Sequence, residues 1–261
     1  MNYLTRIKNK LTTSILNNFL FNFIIRSIGL EEKVFHRMNP YLSYIPSSER
    51  TTQENAGYSD RPEINEVIHK SKNDLMDSIA SHCQKNDRIL DVGCGPGMYL
   101  SLLKDKGYEL TAIDINSAMI EASKKLIPYA NYRTGDLLDL ELKNNFNFIY
   151  CIGMLVYIPK NKIHRFIEKI YYLLAPNGIL YLNYPHAISR LDTLYNDLTY
   201  IRYSPQFIER IIEPYFKILK HEQAFDGRNI SSYDKKPYKS LNENTDRTYK
   251  NSYLLIAQKK S

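Results

Sequence analysis

The chain has 261 residues, of which 43% are hydrophobic and 24% charged, and these ordinary values indicate a globular protein that buries a sizeable core. The formal net charge is +7, but no block of Lys and Arg typical of nucleic-acid binding is present, which favours a lysine-rich solvated surface. The three cysteines, Cys83, Cys94 and Cys151, share no metal-ligand spacing, so we expect free thiols in a reducing, cytoplasmic compartment.

Residues 4–28 predict a basic amphipathic helix, because apolar residues recur there every three or four positions. Its apolar stretch is too short and interrupted to span a bilayer, and it lacks the cleavage site of a signal peptide. The helix is expected to pack on its own domain or on a second subunit, and peripheral membrane contact is the alternative. Residues 36–60 indicate a connector or lid, with Tyr58 as a candidate substrate contact. We therefore expect an arm and lid, residues 1–60, and a main domain, residues 61–261.

Apolar runs of strand and helix character alternate through the first part of the main domain. A capped helix is expected from Asp60 to about Cys83. Strands are predicted at 88–92, 109–115, 131–134, 146–151 and 179–183, with helices at about 98–106, 117–126 and 163–174 between them. This alternation predicts an α/β fold with a doubly wound, parallel sheet and helices on both faces.

The last part of the chain departs from that alternation. A helix is predicted from Ser204 to Ile212, then a strand at 215–222, a polar segment at 226–250 and a final strand at 253–258. Two strands joined without an apolar helix are expected to pair antiparallel.

Three glycines, Gly93, Gly95 and Gly97, follow the first strand and precede a helix. A glycine loop of this kind lets a nucleotide-type ligand approach the backbone at a helix N-terminus. Asp114 ends the second strand, where a carboxylate can hold both hydroxyls of a ribose, and Asp136 follows the third strand, within reach of an adenine edge. The absence of Lys-Ser or Lys-Thr after the glycines argues against a polyphosphate, so the pattern predicts an adenosine site.

The spacing of the glycines separates two kinds of adenosine cofactor. A dinucleotide fingerprint requires glycine at position 98, which is methionine here, so an NAD-dependent oxidoreductase is the less favoured hypothesis. The run Asp91-Val-Gly-Cys-Gly-Pro-Gly97 resembles the first motif of the class I S-adenosylmethionine-dependent methyltransferases. Further stretches match that family: Asp114, Gly135-Asp136, the run from Phe146 to Pro159, and Leu174-Ala-Pro-Asn-Gly-Ile-Leu180. The resemblance covers roughly residues 61–258 and implies a Rossmann-like, seven-stranded sheet whose last strand is antiparallel.

The resemblance also implies S-adenosyl-L-methionine as cofactor and assigns roles to matching positions. The residues implied at the methionine part of the cofactor are Asp91, Gly93, Gly95, Gly97 and Cys151. The residues implied at the ribose and adenine are Asp114, Ile115, Met119, Asp136 and Leu137. The chain departs from the family at Asn147, which replaces an aspartate, and at Val156-Tyr157, which replaces a histidine pair and removes one common base.

Methyl transfer to a hydroxyl often uses a side-chain base, and two residues are candidates. His186 follows the fifth strand at the mouth of the expected pocket, and its ordinary pKa of about 6.5 suits that role. Tyr157 is the second candidate; Tyr58 and Tyr184 are candidate substrate contacts, and no catalytic metal is expected. The favoured function is O-methylation of a small molecule or of a sugar or glycan hydroxyl. An RNA or other macromolecular acceptor, and a partner-binding protein that has lost catalysis, remain alternatives.

Overall fold

The computed structural model describes residues 62–143, 145–185, 203–226 and 251–260. The predicted arm at 4–28, the connector at 36–60, and almost all of the polar segment at 226–250 lie outside the described residues. Among the residues that are described, no helix has both the length and the apolar character needed to cross a membrane.

The order of elements follows the alternation expected from the sequence. The elements are α1 (Pro62–His82), β1 (Arg88–Val92), a 3₁₀ helix (Leu100–Leu103), β2 (Glu109–Asp114), α2 (Ser117–Leu126), β3 (Asn131–Thr134), β4 (Phe146–Ile152), a second 3₁₀ helix (Leu155–Tyr157), α3 (Ile163–Leu173), β5 (Leu174–Pro185), α4 (Pro205–Ile212), β6 (Phe216–Asp226) and β7 (Asn251–Lys259). The bounds of β1, α2 and β3 agree with the predicted ones to the residue.

The strands form one seven-stranded sheet in the order β3-β2-β1-β4-β5-β7-β6. The pairs from β3 to β5 are parallel, and β7 runs antiparallel to both β5 and β6. The predicted doubly wound, Rossmann-like sheet with an antiparallel last strand is therefore confirmed. The strand order reverses between β1 and β4, and such a switch point opens a crevice at the carboxyl ends of the strands.

Helices cover both faces of the sheet. On one face, Leu75 and Ile79 of α1 and Ile120 of α2 pack with inward residues of the strands. On the other face, α3 and α4 bury the apolar stripes that their spacing predicts. The buried residues of these two helices are Ile163, Phe166, Ile167, Ile170, Leu173, Ile208, Ile211 and Ile212. The two layers hold the carboxyl ends of the strands in fixed positions.

The element after the glycine loop is shorter and tighter than predicted. A helix is expected at 98–106, whereas the structure has a 3₁₀ helix over Leu100–Leu103. The Ser101 hydroxyl donates to the Met98 carbonyl at 2.8 Å, and Asp105 adopts a positive φ of 58° that ends the helical backbone. A serine hydroxyl that bonds the backbone in this way competes with regular helical hydrogen bonding, so the prediction of a full helix was wrong.

Candidate active site

The glycine loop is fixed to the neighbouring strand by hydrogen bonds at the carboxyl edge of the sheet. The backbone amides of Gly93 and Cys94 donate to the Ile113 carbonyl of β2 at 2.9 and 3.0 Å. The Asp114 carboxylate accepts from the amide of Gly95 at 2.9 Å through Oδ2 and from the amide of Asn116 at 2.8 Å through Oδ1. The end of β2 thus shapes the loop that follows β1.

Two glycines of the loop have different surroundings. A Cβ atom on Gly97, whose φ is +89°, would lie 2.5 Å from Ser123 Oγ and 3.2 Å from Ser123 Cα, so α2 packs directly against the backbone here. A Cβ on Gly95 would meet no atom within 4 Å, and the same holds for Gly153, which directly follows β4. The loops after β1 and β4 therefore present bare backbone to open space, where a ligand can approach closely.

A buried carboxylate lies at the end of β1. Asp91 is only 3% exposed, and the Tyr150 hydroxyl of β4 donates to its Oδ2 at 2.8 Å. Burial raises the pKa of Asp91 to about 8, the hydrogen bond from Tyr150 acts in the lowering direction, and the charge of Asp114 adds to the increase. Asp91 is therefore mostly protonated at neutral pH in the free protein.

This raised pKa predicts a stability that falls with pH. An unfolded aspartate ionises near pH 3.9, so the stability that Asp91 contributes is complete below that pH and is lost as the pH rises through about 8. We expect Asp91→Asn to differ least from the wild type near pH 4 and to exceed its Tm by about 10 °C at pH 8.5. Thermal unfolding between pH 4 and 9 measures this difference.

The matched control for that measurement is Asp77→Asn, because Asp77 lies on the exposed side of α1. Its melting curve is expected to follow the wild type at every pH. Parallel Tm profiles for Asp91→Asn and the wild type would contradict the assignment of a buried, protonated Asp91.

The carboxylate predicted at the adenine edge already has two neighbours. Asp136 Oδ1 accepts from the amide of Leu138 at 3.0 Å, and Lys162 Nζ lies 3.9 Å from its Oδ2. Lys162 immediately precedes α3 and reaches Asp136 from the β4 side of the crevice. An adenine amino group at Asp136 would share the carboxylate with Lys162. The sequence did not indicate this lysine as a site residue, because 26 positions separate it from Asp136.

The other residues predicted to contact the cofactor differ in their exposure to solvent. Ile115 is 39% exposed beside Asp114 and offers an apolar surface for a base. Met119 and Leu137 are each 3% exposed, and Cys151 is fully buried in the core cluster that α3 and α4 cover. The Cys151 side chain therefore forms no part of the open surface near the loop.

The predicted acceptor residues are only partly described. Tyr157 is half-buried in the 3₁₀ helix after β4, at the carboxyl edge of the sheet, whereas His186 and Tyr58 lie outside the described residues. Tyr184 is fully buried, and its hydroxyl lies 2.7 Å from Nε2 of His221, whose Nδ1 lies 2.7 Å from Glu209 Oε1. Because this network occupies its hydroxyl inside the core, Tyr184 is not placed to contact a substrate.

The departure at Asn147 has a local structural role. Its Oδ1 accepts from the backbone amide of Arg88 at 3.0 Å, which joins the beginning of β4 to the beginning of β1. An amide oxygen accepts this hydrogen bond as a carboxylate oxygen of aspartate would.

A family model described as a methyltransferase domain matches residues 64–244. The match covers more than half of the chain, including the glycine loop, Asp114 and Asp136. This chain belongs to the methyltransferase-domain family. S-adenosylmethionine is accordingly the cofactor of this methyltransferase, which confirms the cofactor that the family resemblance of the glycine loop implied.

Known methyltransferases are similar to the chain in sequence and in fold. A ubiquinone biosynthesis O-methyltransferase of Rickettsia canadensis is 24% identical over 174 residues, which are 64% of this chain and 72% of that protein. A dTDP-3-amino-3,6-dideoxy-alpha-D-glucopyranose N,N-dimethyltransferase of Streptomyces fradiae is 27% identical over 146 residues, 51% of this chain and 56% of that protein. The N-methyltransferase NodS of Bradyrhizobium japonicum, solved with S-adenosyl-L-homocysteine, has a TM-score of 0.58 at 14% identity, covering 80% of this chain and 96% of NodS.

The residues present fit this cofactor. Bare backbone at Gly95 and Gly153 leaves room for a ligand across the ends of β1 and β4. Asp114 beside the loop is suited to ribose hydroxyls, and Asp91 lies near the end of β1, just before the loop. Sequence reasoning had found both carboxylates but not Tyr150, whose only signal is a polar hydroxyl at a core position of the buried strand β4.

Proposed function

We propose that this methyltransferase transfers a methyl group to a hydroxyl of a small molecule, such as a phenol or a sugar. The observation that carries the proposal is the glycine loop held by Asp114, with open space at Gly95 and Gly153. The names of two similar proteins, one acting in ubiquinone biosynthesis and one on an amino sugar, support a small-molecule acceptor. A cytoplasmic location is part of the proposal and is supported by the free thiols Cys83, Cys94 and Cys151.

The mechanism follows from the groups at the carboxyl edge of the sheet. S-adenosylmethionine supplies an electrophilic methyl group on a sulfonium centre. The chain would hold this donor with the loop amides, Asp91 and Asp114, and would align the acceptor with it. His186, with Tyr157 as second candidate, would take the proton from the acceptor hydroxyl as its oxygen bonds to the methyl carbon and the carbon–sulfur bond breaks. The products are a methyl ether, S-adenosylhomocysteine and a proton.

The proposed acceptor site also includes the N-terminal arm and the segment at 226–250. Segments that precede the sheet and interrupt its last two strands are where a cover over the carboxyl edge can be built. Their Tyr, Asn and Ser residues suit a polar acceptor, and the basic helix predicted at 4–28 suits an acceptor close to a membrane surface.

A labelled-methyl assay tests the proposed reaction. The full chain is incubated with methyl-labelled cofactor and a panel of phenols, sugars, amino sugars and RNA, and products are identified by the mass of one added methyl group. We expect transfer to a hydroxyl. His186→Gln should lower kcat by about 100-fold while leaving the affinity for S-adenosylhomocysteine unchanged.

The control variant is His164→Gln, because His164 is exposed on α3 and should retain wild-type kcat. Transfer only to amino groups would overturn O-methylation in favour of N-methylation. Transfer only to RNA would overturn the proposal of a small-molecule acceptor. A chain that fails to bind S-adenosylhomocysteine would overturn the proposed function as a whole.

A further inference from the structure

Tyr150 and Asp91 form a buried polar pair directly beneath the glycine loop. They are register partners in the parallel pair β1–β4, so their side chains lie on the same face of the sheet. Tyr150 is fully buried, and its hydroxyl is bonded to the Asp91 carboxylate at 2.8 Å. A buried carboxylate and hydroxyl cost free energy relative to an apolar pair in the same place, so the arrangement calls for a reason beyond packing.

The titratable groups that act on Asp91 are neutral or acidic. They are Tyr150 and Cys151 of β4, Cys94 of the loop, Asp114 of β2 and Tyr132 of β3. Among the described residues, none of the groups acting on this carboxylate carries a positive charge. A cationic group of a ligand would balance an ionised Asp91, and S-adenosylmethionine carries such a group, the α-ammonium at its amino-acid end.

We propose that Tyr150 is a positioning residue for the cofactor: its hydroxyl fixes the Asp91 carboxylate so that this group meets the cofactor's α-ammonium. The proposal rests on S-adenosylmethionine as the cofactor. It extends the cofactor site to a residue outside the glycine loop and accounts for the buried hydroxyl group on β4. Tyr150 acts through Asp91 and does not itself contact the reacting methyl group.

Binding should then be coupled to a proton. Asp91 is protonated in the free protein at neutral pH because burial raises its pKa. An α-ammonium group beside it favours the carboxylate, so the complex releases a proton to solvent. The hydrogen bond from Tyr150 stabilises that carboxylate, and its loss makes the ionised form harder to reach.

Calorimetry with two ligands tests the proposal on the full chain. S-adenosylhomocysteine carries the amino-acid end, whereas 5′-methylthioadenosine shares the adenosine but lacks it. We expect Tyr150→Phe to weaken S-adenosylhomocysteine binding about tenfold and to leave 5′-methylthioadenosine within about twofold of wild type. Titrations at pH 7 in buffers of different ionisation enthalpy should show close to one proton released with the first ligand and none with the second.

Two further variants separate a positioning role from a structural one. Tyr181→Phe is the matched control, because Tyr181 is the register partner of Tyr150 on β5 and is equally buried, but its hydroxyl is not bonded to Asp91. It should leave both affinities unchanged. Asp91→Asn should abolish the proton release, and Tyr150→Phe should shift the rise in affinity with pH to higher pH.

Several outcomes would overturn the proposal. Equal weakening of both ligands by Tyr150→Phe, which is the result of a structural defect, would overturn it, and so would unchanged affinity for both. Wild-type binding of S-adenosylhomocysteine without proton release would also overturn it, while leaving the proposed function intact. If the wild type bound neither ligand, the proposed function itself would fail.

Discussion

Replacing Asp114 by asparagine should lower the affinity for S-adenosylhomocysteine by about 100-fold. The carboxylate accepts from two backbone amides, of Gly95 and Asn116, and its charge strengthens both bonds. An asparagine side chain turns an NH₂ group toward one of these donors and also loses an acceptor for the ribose hydroxyls. Calorimetry measures the change, and 5′-methylthioadenosine, which retains the ribose, should lose the same factor.

The control for this variant is Asp139→Asn, an exposed carboxylate in the loop after β3. It should bind both ligands as the wild type does. An Asp114→Asn protein within about threefold of wild-type affinity would contradict the role of this carboxylate in shaping the loop and holding the ribose.

Alanine substitutions at Gly97 and Gly95 should affect different properties: the first mainly lowers the stability of the fold, and the second mainly lowers the affinity for the cofactor. Gly97→Ala places a methyl group 2.5 Å from Ser123 Oγ and 3.2 Å from Ser123 Cα, at a φ of +89°, so the loop and α2 must separate. We expect a loss of about 3 kcal/mol or more in the free energy of unfolding. Gly95→Ala meets open space at a φ of +53° and should cost only about 1 kcal/mol, while its methyl group enters the space of the cofactor.

Chemical denaturation and calorimetry on the two variants measure these effects together. Gly95→Ala should remain folded and lose about tenfold or more in affinity for S-adenosylhomocysteine, because a methyl group occupies the approach to the backbone. A stable Gly97→Ala protein, or a Gly95→Ala protein with unchanged affinity, would show that the loop adopts a different backbone from the one described.

Part of the sheet could be predicted from the sequence because β1 and β4 are short, largely apolar runs bounded by turn residues. Arg88–Val92 lies between Asp87 and Gly93, and Phe146–Ile152 lies between Asn145 and Gly153. The helix α2 follows its cap residue Asn116, whose side chain accepts from the amide of Ala118. Such signals are local and fix where an element begins and ends. The glycine spacing and Asp114 were equally local; they predicted an adenosine site, and the family resemblance of the motif implied the cofactor.

The geometry of the site could not be read in the same way, because it depends on contacts across strands. The bond between Tyr150 and Asp91 requires the register of β1 against β4, which no local pattern specifies. The direction of a side chain at a strand end was also missed. Cys151 and Tyr184 point into the core under α3 and α4, although their positions near the carboxyl edge indicated the crevice.

The position of β7 has a consequence for how the protein is made. This strand lies between β5 and β6, yet it is the last of the seven to be synthesised. Until Asn251–Lys259 has left the ribosome, β5 has an unpaired edge and β6 has no partner in the sheet. Both strands form their antiparallel hydrogen bonds there with β7. Such long-range pairing slows folding and leaves strand edges open to association with other chains. We therefore expect β6 to join the sheet only after β7 has been synthesised.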